Sequence, residues 1–283
     1  MSEFLQALGE HAFLQRALLS GLMISLACGM VGTYVVSRRI TYIAASVAHC
    51  VLGGMGAARY LQIVYGWYWL TPLWGALAAA VAAAVIIGLI SLKAREREDT
   101  VIGALWAIGM AAGVLFISRT PGYNEDLMSY LFGNILVVSR TDLLLIALLD
   151  LAVVVITLLF YRQLQAVCFD EEFAGLRGVR VKLTYLLLLC LTALTVVLLV
   201  RVVGIVMVIA LLTLPAAMAG FFSRSLWQMM LLATGFCALL TTSGLALSYG
   251  PNLPAGATII ILAGAAYLLV AAGRGLFRRS TTR

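Results

Sequence analysis

Charge is scarce in this chain: 11% of its 283 residues are Asp, Glu, Lys or Arg, against about a quarter in soluble domains. With 63% hydrophobic residues and a mean hydropathy of +1.07, the composition excludes an ordinary water-soluble globule. No C-x-x-C spacing occurs among the five cysteines, so neither a thiol redox motif nor a zinc ribbon is written here. Cys28, Cys50, Cys190 and Cys237 fall in apolar runs and Cys168 in a basic loop, and all five read as free thiols. There is no G-x-x-x-x-G-K-[ST] phosphate loop, because neither Lys93 nor Lys182 follows the required glycines. If ATP is used, another chain binds it, and this one is not an enzyme. The net charge of +7 comes without a long basic tract, so it points to membrane orientation and not to nucleic acid. No convincing internal repeat is present.

Long apolar runs are abundant. Nine of them reach the roughly 20 residues that a helix needs to cross a bilayer, at roughly 17–37, 40–62, 68–92, 100–118, 142–161, 183–200, 202–222, 226–249 and 255–273. The fold class is an all-α polytopic membrane protein forming one transmembrane domain over residues 1–283, with eight or ten spans as alternatives to nine. The apolar stretch Leu127 to Val138 is too short to cross and suits a re-entrant or interfacial segment. The first run follows an acidic stretch and has no basic leader or small-residue cleavage site, which predicts that it is retained. An external N-terminus and a cytoplasmic C-terminus put fourteen of the nineteen Lys and Arg, among them Arg38, Arg39, Lys93, Arg95 and Arg97, at cytoplasmic ends. Arg16, Arg59, Arg119, Arg140 and Arg201 are the exceptions. Tyr65, Trp67, Tyr68 and Trp69 cluster where an external aromatic belt belongs.

Two ionisable residues sit deep in spans, where they are costly and mark function. His49, near the middle of the second span, offers an imidazole of the kind that binds transition metals, and Asp150, in the fifth, a carboxylate. The structural alternatives are a histidine bonded to a neighbouring carbonyl and an aspartate hydrogen-bonded at a helix contact; for Asp150 the second is favoured. Ser46 and Gly53 share the helical face of His49, and Gly53 to Ala58 is a small-residue surface suited to close helix packing. Pro215 frees a carbonyl in the seventh span and produces either a pathway break or a static bend. The loop from about 162 to 182 holds Phe169, Asp170, Glu171, Glu172 and Gly178, a pattern for a short amphipathic helix ended by glycine. Such a helix docks a motor subunit or is simply a solvated loop.

The order of these motifs resembles the ABC-type zinc, manganese and iron permease family. Arg38 to Ile43 followed by Val47 to Leu52 is similar to that family's arginine pair and histidine-bearing helix. Glu98 to Gly103, Asp126 to Leu136, Phe169 to Glu172 and Leu211 to Ala217 follow in the same order. The resemblance implies a permease subunit in the bacterial inner membrane that carries zinc, manganese or iron. It implies two permease subunits around a central path, cytoplasmic ATP-binding subunits and an external metal-binding protein. It also implies that the loop from Phe169 to Val179 is the ATPase-coupling helix. The chain departs from the family's pattern at Ala45, where an acidic residue is usual one turn before the histidine, and at Gly53, where proline is usual. His49 is left alone on its helix unless Asp150 supplies the carboxylate or a different permease subunit supplies the full pair. An ATP-independent secondary carrier is the alternative function, but His49 and Asp150 are few groups for ion coupling.

Overall fold

A computed structural model describes residues 2–92, 98–121, 133, 135, 138–251 and 253–280. Lys93, Arg95, Arg97 and most of the segments 126–136 and 127–138 lie outside those residues. The elements are α1 (Ser2–Glu10), α2 (Ala12–Ser37), α3 (Thr41–Val64), α4 (Pro72–Ser91), α5 (Glu98–Arg119), α6 (Arg140–Leu159), α7 (Tyr161–Phe169), α8 (Glu171–Leu176), α9 (Val181–Val203), α10 (Ile205–Phe222), α11 (Leu226–Tyr249) and α12 (Ala255–Ser280). Among the described residues nine helices are long and apolar enough to cross a bilayer: α2 to α6 and α9 to α12. They agree with the nine runs read from sequence to within a few residues. The short helices α1, α7 and α8 were not separable by hydropathy, because none is long enough to span.

Helix is the answer to these sequences because a chain in hydrocarbon must satisfy its own backbone donors and acceptors. Ends are set by local chemistry. Pro72 opens α4, where its missing N–H costs nothing. Ser139 and Asp142 form a reciprocal capping box at the start of α6. Ser225 accepts from the Gln228 amide at the start of α11.

The buried centre is built from α2, α3 and α9, whereas α5, α6 and α12 are peripheral. Glycine sets how closely the central helices approach. A Cβ added at Gly54 would collide with the Gly75 carbonyl and stand 2.5 Å from Ala79 Cβ, and one at Gly75 would meet the Gly54 carbonyl and Ala58 Cβ, so α3 and α4 cross backbone to backbone. α9 and α10 are joined by Gly204 alone, which is buried and adopts a φ of 79° that disfavours residues with a Cβ. Gly133 rests on this joint: a Cβ there would collide with the Gly204 amide and the Val203 carbonyl carbon. Ile135 and Val138, the other described positions of the short apolar stretch, are buried as well.

Candidate functional site

The face of α3 that carries His49 is clamped to α5. Ser46 Oγ donates to the Ile102 carbonyl at 3.0 Å and Cys50 Sγ to the Leu105 carbonyl at 3.3 Å. One and two turns further on, glycine meets glycine: a Cβ at Gly53 would stand 2.8 Å from the Gly109 oxygen, and one at Gly56 would stand 2.9 Å from the Gly113 oxygen. The Gly53 to Ala58 surface is therefore used for packing on two sides, against α4 and α5.

His49 lies inside this clamp with 8% of its surface exposed. Its ring is stacked on the Trp106 indole, centroids 4.4 Å apart and planes 18° apart. Trp106 in turn leans on Tyr42 at 5.7 Å. His49 Nδ1 is buried and has no hydrogen-bond partner among the described residues. An orphaned buried polar atom costs about 1–3 kcal/mol, a cost that ligand binding would recover. Ala45, one turn earlier, is buried and offers no ligand atom.

Asp150 is 6% exposed, and its Oδ1 accepts the Ala27 amide of α2 at 3.1 Å. It thus ties α6 to α2. The strongly packed neighbours of α6 are α2 and α9, while those of α3 are α4, α5 and α9. Both helices pack on α9, but His49 stacks on Trp106 of α5 and Asp150 bonds to Ala27 of α2, and no group of three His, Cys, Asp or Glu side chains gathers among the described residues. Pro215 lies within α10, which continues helical across it, and Gly32 of α2 packs on the Leu212 carbonyl one turn earlier.

At one end of the bundle, α2 turns into α3 through Arg38 and Arg39. Arg39 occupies the left-handed region at φ 61°, with the Arg39 and Ile40 amides returning to Val36 and Val35 in a Schellman closure that usually uses glycine. This turn aims Arg38 at α7 and α8. Arg38 Nη1 donates to the Val167 carbonyl at 2.8 Å, Nη2 pairs with Glu171, and the guanidinium lies 5.3 Å over the Tyr185 ring of α9. Cys168, buried beside it, has its thiol pushed up to about 12 by burial, with Arg38 opposing.

The α8 helix starts at Asp170, whose carboxylate accepts the Phe173 amide at 2.9 Å, and stops at Gly178, φ 79°, with the amides of Gly178 and Val179 closing onto Gly175 and Ala174. Ala174 is buried, while Phe169, Phe173 and Leu176 are 67%, 52% and 88% exposed. The short amphipathic helix expected here is present, with an apolar knob turned outward. Beside it lies a polar cavity of 280 Å³ lined by Arg38, Arg39, Tyr42, Ser91, Asp99 and Tyr185.

Trp106 was missed by sequence reasoning. The available signal was its position: tryptophan gathers at span ends, yet Trp106 is the ninth residue of α5.

The ABC 3 transport family model matches residues 10–274. An uncharacterized membrane protein of Synechocystis sp. is 43% identical over 94% of this chain and 92% of its own. The manganese transport system membrane protein MntC of Halalkalibacterium halodurans is 32% identical over 94% and 89%. The solved structure of PsaBC from Streptococcus pneumoniae in complex with Fab is similar at a TM-score of 0.84 and 30% identity, covering 95% of this chain and 94% of that one.

Proposed function

The chain belongs to the ABC 3 transport family, and on that premise we propose that it is the membrane-spanning permease subunit of an ATP-driven importer of divalent transition-metal ions. The observation that carries the reading is a mid-span imidazole with a buried, unpartnered nitrogen in a chain whose relatives include a manganese transport system membrane protein. Manganese is the first cation to test, with zinc and ferrous iron beside it. Neutral imidazole suits all three in different geometries. ATP binding and hydrolysis belong to a separate cytoplasmic subunit. An external binding protein delivers the ion, and a second permease, identical or different, completes the path.

The knob formed by Phe169, Phe173 and Leu176 is the docking point for the ATPase subunit. Its exposed apolar area, its glycine stop at Gly178 and the Arg38 link to the α2–α3 turn support this role, since a push on α8 is transmitted to the helix that carries His49. On this reading the α8 end is cytoplasmic and the protein sits in a bacterial inner membrane. The carboxylate missing at Ala45 is assigned either to Asp150 or to the second permease.

Uptake of manganese, zinc and ferrous iron into proteoliposomes holding the complete transporter, with and without ATP, tests the proposal. Uptake that needs ATP and is lost in His49→Ala, with the ATPase subunit still bound, is the expected result. Uptake unchanged in that variant would make His49 structural, and uptake without ATP would replace the importer by a secondary carrier.

A further inference from the structure

The Trp106 indole covers one face of the buried His49 imidazole. We propose that Trp106 is an access and positioning residue for the ion: its indole holds the His49 imidazole in plane and swings off it before a cation reaches the ring. The inference rests on the reading of His49 as a residue that meets the transported ion.

The backbone around His49 has little freedom to open. Ser46 and Cys50 are bonded to carbonyls of α5 on either side of it. Gly53 and Gly56 then hold the two helices at backbone contact, so separating α3 from α5 breaks all four contacts together. Rotating the Trp106 side chain breaks the stack on His49 and the looser lean on Tyr42 and leaves those four contacts in place. The low-cost motion is therefore the indole's.

What lies behind it also fits. Ile102, one turn before Trp106, and Tyr42, which leans on the indole, both line the 280 Å³ polar cavity. An ion leaving the imidazole passes an aromatic face, which attracts cations. It then reaches a chamber bearing the Tyr42 and Tyr185 hydroxyls and the Asp99 carboxylate. Two arginines also line this chamber, Arg38 and Arg39, and Arg38 is paired with Glu171. The chamber adjoins α8, so access to His49 and movement of the docking helix converge on the same corner of the bundle.

The two histidines provide an internal control, because His11 is exposed and His49 is buried. The assembled permease in detergent is treated with diethylpyrocarbonate, and the modification rate at each histidine is read by peptide mass mapping. Trp106→Ala is expected to raise the His49-to-His11 rate ratio about tenfold, which corresponds to about 1.4 kcal/mol of lost stacking. Trp106→Phe keeps a smaller ring in place and is expected to fall between the two, which preserves the test if the alanine variant does not assemble. A ratio equal to wild type in every variant that assembles overturns the proposal. In proteoliposomes given manganese chloride, Trp106→Ala is expected to admit the ion without ATP. Wild-type complexes that move no manganese, zinc or iron would defeat the transport reading, while the rate ratio would still decide whether Trp106 covers His49.

Discussion

Replacing Gly54 by alanine is a direct test of how the bundle is assembled. The added methyl would collide with the Gly75 carbonyl and lie 2.5 Å from Ala79 Cβ, where ordinary contact begins at 3.4 Å. Relieving it separates α3 from α4 by about 1 Å, enough to forfeit a quarter to a half of each dispersion contact along the crossing. Overpacking of this kind costs about 1–3 kcal/mol, against about 1 kcal/mol gained because alanine favours helix over glycine. The net cost is up to about 2 kcal/mol, and a thermal midpoint lower by up to roughly 8 °C is expected for a chain of this size. Gly264→Ala in α12 is the matched control, since nothing lies within 4 Å of the added methyl; it retains the propensity gain and meets no steric opposition. Both variants are heated in detergent and the surviving monodisperse fraction is read by fluorescence-detected size exclusion. If Gly54→Ala proves as stable as Gly264→Ala, the backbone crossing of α3 and α4 is wrong and the steric reasoning fails with it.

Glu171→Gln removes the charge that holds Arg38 against α8. The pair is partly exposed, so its contribution to stability is at most about 1 kcal/mol, and the expected change is in uptake per ATP hydrolysed, measured together in proteoliposomes. Asp150→Asn retains an oxygen able to accept the Ala27 amide and removes the carboxylate charge; an unchanged melting temperature is expected, and the affinity for manganese in uptake decides whether the carboxylate serves the ion or only the α2–α6 contact. Cys168, with its thiol held protonated to about pH 12 by burial, is expected to resist maleimide at pH 8 in the folded protein and to react in denaturant, because the thiolate is the nucleophile. Rapid labelling of folded protein at that pH, traced to Cys168 by peptide mapping, would contradict its burial against Arg38.

The spans were legible because the bilayer imposes one length and one composition on each of them. His49 and Asp150 were legible for the same reason, as ionisable groups where few are tolerated. The start and stop of α8 were equally open to reading, since Asp170 and Gly178 carry their capping chemistry locally. What the sequence hid is pairwise. Nothing near Asp150 predicts that it accepts from Ala27, 123 residues away, and nothing near Arg38 predicts Glu171, 133 residues away. Trp106 belongs to this second kind: it acquires meaning only once α5 is laid on α3, because helix periodicity tells which residues share a face and not which helix that face meets.

The joint at Gly204 has a genetic consequence. With a single residue between two core helices, there is no spare chain to absorb a change in length. One inserted residue would turn α10 by about 100° and carry Met207, Val208, Leu211 and Leu212 away from the interior that now buries them. The stretch from Tyr65 to Leu70 stands in contrast, with its aromatic side chains turned outward. Reporter insertions, epitope tags and natural length variation are therefore expected to be accepted between α3 and α4 and rejected between α9 and α10.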